Sequence, residues 1–550
     1  MQIETTTPGR KPMGERFNRA SAVAIALLVI TAFALLAADT RSRGLALNTL
    51  KLVAGTLAIS LPLGTLLGLL IARTNLPLRL PSAAMLGLLL IVPLYLIAAA
   101  WQSGFGLFGW YTLIFGGSLQ QPWLIGWRGA IFVHGVAATP WVALIVGLAA
   151  RQVEPQLEEA ALLDASAWRV FYHVTLPRIA PALALAALWV SLLAATDMTV
   201  TDLYQVRTYA EEVYVDFAAP TDIAAPELGP WAGAAVVTAL AAGAIILCMG
   251  AAQYSARVLP KQIHQFHLGR WRWPAAAIVV VALVVILGVP LFNLIYKAGV
   301  VVQPNSTGVT RTWIAMKAAH IVAESPLRFW KEAGWSLIIA TGAASAALLV
   351  ALPLAWYARR GNIVALPAVL VGAAALAVPA PLLAIGLIHL LNNPELPWLG
   401  WMYHSVYAPM LAQAIRALPL TTFLLWFGFR TIAGEQFEAA ALDGATGAAR
   451  FFRIALPQRW QAVGAAWIAA FVLAFNELPA TLLLEAPGRM TLPIAVYQLM
   501  HGTGEDRLAG IALCMVLGYL LLGAAILILW RMLFHSSHFG AGRSEVIIDK

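Results

Sequence analysis

The sequence predicts an all-α, polytopic membrane protein with twelve transmembrane helices arranged as two parallel six-helix repeats. Three observations predict it: an apolar composition, apolar runs of spanning length along the chain, and one segment that returns at an offset of 280 residues. Of 550 residues, 61% are hydrophobic without counting Gly and only 11% are charged, and the mean hydropathy is +0.80. Soluble proteins average about 45–50% apolar residues even with Gly included and about 25% charged, so this chain cannot cover its apolar surface in water. At ~20 apolar residues per span, the length accommodates about a dozen spans and their loops, but no soluble domain of ordinary size. Soluble catalytic machinery must come from another chain. Cys248 and Cys514, the two cysteines, both lie in apolar runs, which excludes a disulfide-built fold and leaves the redox compartment open.

The apolar runs fall near residues 20–38, 48–72, 83–101, 129–150, 178–196 and 231–254, then near 275–296, 333–358, 364–391, 404–429, 459–484 and 508–530. The first follows a basic start (Arg10, Lys11, Arg16, Arg19) and lacks a good small-residue cleavage pattern, so it reads as an uncleaved anchor. Orientation follows from Lys and Arg in short loops. With the N-terminus inside, 22 of the 35 Lys and Arg fall on inside segments, 12 fall outside, and Arg416 lies within a span. Both termini are therefore expected inside. The net charge of +9 reads as leaflet-facing charge drawn to anionic membrane lipid, with no nucleic-acid partner.

Residues 256–273 form a basic amphipathic linker between a first transmembrane domain (1–255) and a second (274–550). Because six is even, both domains enter the membrane from one face, as parallel repeats do. The repeat itself is visible in EEAALLDASAWRVFYHVTLP (158–177) and EAAALDGATGAARFFRIALP (438–457), and Asp197 and Glu477 keep the same offset, each 20 residues beyond its Leu-Pro. Pro93 with Pro379, Pro140 with Pro419 and Cys248 with Cys514 extend the correspondence with small gaps, and the paired prolines read either as breaks where backbone groups face the pathway or as ordinary kinks.

Each repeated segment falls in an inside loop between the fourth and fifth spans of its half. Glu438 near the start of a short helix suits the positive end of the helix dipole, and Ala439, Ala440 and Ala441 are strong helix formers whose small side chains admit a partner closely. Gly444 is placed to end that helix in a left-handed conformation, and Leu456 before Pro457 is expected outside helical geometry. The expected order is helix, turn, helix, then membrane.

The pattern Glu-Ala-Ala, three residues, Gly, nine residues, Ile, one residue, Leu-Pro resembles the coupling loop of permease subunits of binding-protein-dependent ABC importers. Glu438, Ala439, Ala440, Gly444, Ile454, Leu456 and Pro457 match it in full. In the first copy Glu158, Ala160, Leu176 and Pro177 match, Val174 replaces Ile, Glu159 stands at the first Ala position and Asp164 at the Gly position. The resemblance covers nearly the whole chain as a fused two-half permease of the ferric iron transport family. It implies a type I ABC importer-like fold in a bacterial inner membrane, two copies of a cytoplasmic ATPase docked on the loops, ATP and Mg held by that partner, and an extracytoplasmic solute-binding protein. Ferric iron is the solute implied; thiamine, phosphonate and polyamine remain open.

The chain has no G-x-x-x-x-G-K-[ST] phosphate cradle, so it is not itself a P-loop ATPase and is expected to be a transport subunit with no catalytic residues and no cofactor of its own. Arg416, inside the tenth run, could meet an anionic solute or pair with Glu477 or Asp197 as a structural counter-ion. Asp197 and Glu477, where the fifth and eleventh runs meet the outside, suit either a gate or plain interfacial solvation. His134 and His389 read as hydrogen-bonded packing, and no cluster has metal-ligand spacing. The outside loop 197–228 carries Asp197, Asp202, Glu211, Glu212, Asp216, Asp222 and Glu227 against Arg207, a run expected as a solvated face or as a docking patch. An ion-driven secondary transporter is the rival reading; the scarcity of acids within the runs and the paired loops speak against it. A membrane-embedded enzyme lacks a convergent set of nucleophile, base or metal ligands.

Overall fold

The computed structural model describes residues 40–115, 122–218, 265–305, 308–359, 378–502 and 505–540, with short pieces between 368 and 376. The runs near 20–38 and 231–254, part of the run near 364–391 and residues 256–264 of the linker lie outside the described residues.

The described chain is mostly helical. Helices long and apolar enough to cross a membrane are Arg43–Arg73, Gly126–Ala150, Ala167–Thr196, Gly269–Gly299, Trp330–Ala358, Tyr407–Arg430 and Asp506–Ile526. Seven spans are thus counted among the described residues, or eight if the pair Arg79–Leu89 and Leu94–Ile114 is one broken span.

Of the two readings of Pro93, a break or an ordinary kink, the structure has the break: the two pieces of the run near 83–101 meet at 101°, and the second restarts after Pro93, whose extended backbone (φ −69°, ψ 151°) and missing N–H cannot continue a helix. Two sequence expectations need correcting. The run near 459–484 stops at Asn476, where the chain turns at Glu477 before the short helix Pro479–Leu483. A two-stranded hairpin, Val300–Asn305 with Gly308–Trp313, interrupts the all-α pattern, with Val300 opposite Trp313. Its β-branched Val and Thr residues favour the extended ladder.

The chain divides into two compact units, each drawing on both sequence halves. One comprises Met1–Leu57, Gln152–Ile263 and Trp335–Met490. Its helices meet along a seam of buried alanines: Ala340, Ala343, Ala344 and Ala347, then Ala414 and Ala417, then Ala470 and Ala474. In lipid there is no water to drive helices together, so small residues that let backbones approach supply the packing. Gly428 belongs to the same scheme, since a Cβ there would lie 2.7 Å from the Ala462 Cβ.

The other unit comprises Ala58–Arg151, His264–Gly334 and Thr491–Lys550. Here glycine allows the same close approach between the helix ending at Arg73 and the helix Gly126–Ala150. A Cβ on Gly64 would stand 2.5 Å from the Val142 Cβ, one on Gly68 2.5 Å from the Ala143 carbonyl oxygen, and one on Gly135 2.7 Å from the Ile59 Cβ. Buried Arg73 closes the end of this pair, donating from Nη1 to the Ala150 carbonyl at 2.8 Å and lying 5.7 Å from the centre of the Phe266 ring. Leu67, Val136 and Ala143 continue the contact into a core shared with Ala275, Val279 and Ile286.

Gly68→Ile is expected to destabilise the purified protein by about 1–3 kcal/mol, the usual cost of forcing carbons into a filled site. Gly87→Ala, where an added Cβ meets nothing, is expected to be neutral or better. Thermal unfolding of the two variants in detergent checks the contrast.

Candidate functional site

The repeated segments fold as two helix–turn–helix loops in one unit. In the first, Pro155–Asp164 is followed by Ala167–Val170 and a π turn, Phe171–Thr175, that leads into the long helix Leu176–Thr196. In the second, Gly434–Leu442 is followed by Gly447–Arg450, the π turn Phe451–Ala455, Leu456–Gln458 and, past a break at Arg459, Trp460–Asn476.

The π turns revise the expectation for the leucine before each proline. Leu176 (φ −62°, ψ −45°) and Leu456 (φ −64°, ψ −48°) remain helical, their N–H groups reaching back five residues to the carbonyls of Phe171 and Phe451. A proline lacks a donor and crowds the preceding turn; the wider π turn absorbs both problems without ending the helix.

The turns differ as their sequences do. At Gly444 (φ 81°) the Ala445 N–H bonds to the Ala440 carbonyl at 2.8 Å and the Gly444 N–H to Ala441 at 3.1 Å, the paired bonds of a Schellman ending. Asp164 stays within its helix, and Ala165 turns out in extended geometry (φ −138°, ψ 153°). After the turn, Thr446 caps the next helix by accepting the Ala449 N–H at 3.2 Å.

What anchors each loop also differs. Glu158, the fourth residue of its helix, is wholly buried at 0% exposure, and the Thr175 hydroxyl donates to its carboxylate at 2.6 Å. The fourth residue of the second helix is Phe437, and the counterpart of Thr175 is Ala455; both are buried in one apolar cluster with Trp356 and Phe429. The Phe437 ring lies 5.5 Å from that of Trp356, and the Arg359 guanidinium stacks 3.7 Å from Trp356 and 4.2 Å from Phe437. A polar anchor in one loop is thus an aromatic anchor in the other. The residue after each Leu-Pro ties the loop shut: Arg178 pairs with Glu154 at 3.8 Å, and Gln458 donates to Gln436 at 2.8 Å.

Burial therefore sets the first helix one residue out of step with the 280-residue alignment. Glu159 and Ala160 are exposed as Glu438 and Ala439 are, while Glu158 faces inward. Two leucines unremarked in the sequence then fall into correspondence. Leu163 at 87% and Leu442 at 90% are the most exposed large hydrophobic side chains among the described residues, each in the last turn of its loop's first helix. Trp168 and Phe452 stand exposed beside them. The signal available in the sequence was an apolar residue left over in each copy after the inward face is filled.

Two charged residues of the same unit's spans, Arg416 and Glu477, meet. Arg416 Nε lies 3.6 Å from Glu477 Oε2, and its Nη1 donates to the Val378 carbonyl at 3.3 Å, so the counter-ion reading holds and the partner is Glu477. One turn earlier Gln413 donates to Thr481 at 3.2 Å. Glu477 and Asp197 play the same local role, since each carboxylate accepts a backbone N–H of the short helix that follows, Ala480 at 3.2 Å and Val200 at 2.9 Å. Thr481 and Thr201 return bonds to their carbonyls at 3.1 Å. Part of the acidic loop is no solvated face: Glu211 and Glu212 are buried, and Glu212 pairs with Arg41. His134 is buried with Nδ1 2.8 Å from the Ala130 carbonyl, as packing requires.

The spanning helices and the two loops with exposed leucines are those of a polytopic helical membrane protein. Residues 343–536 match the family described as binding-protein-dependent transport system inner membrane component. The putative ABC transporter permease protein ORF1 of Streptomyces antibioticus is 30% identical over 171 residues, 31% of this chain and 72% of that protein. The molybdenum transport system permease protein ModB of Haemophilus influenzae is 34% identical over 149 residues, 24% of this chain and 58% of ModB, so the matched region spans under two thirds of that relative. The trehalose/maltose transport system permease protein MalG of Thermococcus litoralis is 34% identical over 109 residues, 19% of this chain and 38% of MalG. The chain belongs to the ABC transporter permeases of binding-protein-dependent transport systems.

Thr175→Ala removes a hydroxyl from a buried carboxylate and is expected to lower stability by about 1–3 kcal/mol. Thermal unfolding compared with Thr446→Ala, which loses only an exposed cap worth about 1 kcal/mol, checks the ranking.

Proposed function

We propose that the chain is the permease subunit of an ATP-driven importer, with two six-helix halves and twelve spans on one polypeptide and both termini in the cytoplasm. Each helix–turn–helix loop docks one copy of a cytoplasmic ATPase, which binds ATP and Mg, and an extracytoplasmic binding protein delivers the solute. The observation that carries this reading is the matched exposure of Leu163 and Leu442 on loops whose bases are buried. Exposed apolar side chains on a rigid support mark a protein-binding surface. Glu159, Ala160, Glu438, Ala439 and Ala440 surround them, with Asp164 and Gly444 shaping the turns and Leu176, Pro177, Leu456 and Pro457 joining the loops to the spans. Glu158 acts beneath this surface as an anchor. Closing and opening of the paired ATPases would rock the halves between inward-facing and outward-facing states.

For the solute, resemblance to fused permeases supports ferric iron. The similarity to permeases named for molybdenum transport favours an oxyanion as the second reading. Uptake of labelled ferric iron and labelled molybdate by vesicles containing the complete transporter separates the two.

Leu163→Asp and Leu442→Asp are each expected to lower solute-stimulated ATP hydrolysis about tenfold or more and to weaken retention of the ATPase in a detergent pull-down, while the chain still inserts. Unchanged hydrolysis and retention in both variants, or gradient-driven uptake by vesicles without any ATPase subunit, would sink the proposal.

A further inference from the structure

The second unit contains a cavity of about 320 Å³ walled by Trp110, Leu113 and Ile114 on one side and by Val300 and Val301 on another. Three cations, Lys297, Arg311 and Lys317, line it against a single carboxylate, Asp506. Each donates to a backbone carbonyl: Arg311 Nη1 to Leu113 at 2.6 Å, Lys297 to Phe108, and Lys317 to Val300 as well as to Asp506. A carbonyl fixes the position of a cation without cancelling its charge, and the groups that line the cavity carry three positive charges to one negative.

Its place in the fold narrows the ligand. Lys297 sits at the end of the spanning helix Gly269–Gly299, Asp506 at the start of Asp506–Ile526, and Ile114 at the end of the stretch Leu94–Ile114, so three apolar segments terminate here. Aromatic side chains gather at the same level. Trp110 donates to Asn293 at 3.0 Å, and its ring lies 4.6 Å from Tyr296 and 5.6 Å from Phe292. Clustered Trp and Tyr at helix ends mark the boundary between hydrocarbon and water. A soluble anion needs only the cations; the apolar wall of Leu113, Ile114, Val300 and Val301 suits a molecule that carries hydrocarbon with its charge. We propose that this cavity holds the phosphate of an anionic phospholipid, with Arg311, Lys297 and Lys317 facing the headgroup and the apolar wall against the start of its acyl chains.

The test uses the full-length chain purified in detergent, incubated with phosphatidylglycerol or phosphatidylcholine and examined by native mass spectrometry. Retention of phosphatidylglycerol over phosphatidylcholine is expected, with Arg311→Gln lowering it about five-fold, the factor for one cation near a membrane surface. Asp506→Asn is expected to raise retention, a direction that misfolding does not produce. Arg328→Gln, an exposed cation that does not line the cavity, is expected to leave it unchanged. Equal retention of the two lipids, or no response to Arg311→Gln and Asp506→Asn, overturns the proposal. Displacement of phosphatidylglycerol by excess inorganic phosphate overturns the lipid assignment and gives the site to a soluble anion.

Discussion

Each helix–turn–helix loop is held by one buried contact region between the fourth residue of its first helix and the π turn that leads to the spanning helix. Glu158 with Thr175, and Phe437 with Ala455, occupy that place. If these positions were open to water, the loops would be loose peptides and their exposed leucines would be an aggregation hazard. With them filled, a short helix too small to be stable alone becomes a fixed projection of the spans beneath it.

The π turn is what makes this possible. A proline at the start of a spanning helix would ordinarily force the preceding residue out of helical geometry, as the sequence suggests for Leu456. Widening one turn keeps Phe451, Ala455 and Leu456 on a continuous path and carries the loop's inward residues onto the bundle. The same solution serves Pro177. Farther along, the carboxylates of Asp197 and Glu477 each cap the short helix that follows where the spans end, a local role that the two share.

Much of this was legible in the chain. Hydrophobic runs located the spanning helices from 43 to 73, 126 to 150 and 407 to 430 closely, because lipid leaves a helix no other way to satisfy its backbone. Gly444 announced its left-handed turn. The pairing of Arg416 was left between alternatives, since a sequence gives candidate partners and no distances. Pro93 marked a possible break, but apolar residues continue on both sides of it, so composition could not tell a kink from the 101° bend. The alignment misjudged Glu158 by a single position, a rotation of about 100° that is enough to carry a side chain from the outer surface of a ten-residue helix to its buried face. It was equally blind to the burial of Glu211 and Glu212, the second of which pairs with Arg41, far away in the chain.

The polar anchor of one loop and the aromatic anchor of the other have an evolutionary consequence. An assembly of two identical chains must write every residue twice, so a carboxylate adopted on one side is imposed on its twin. A polypeptide that carries both loops is released from that rule. Glu158 and Phe437 show the two copies using this freedom, each free to specialise while their outward surfaces stay alike.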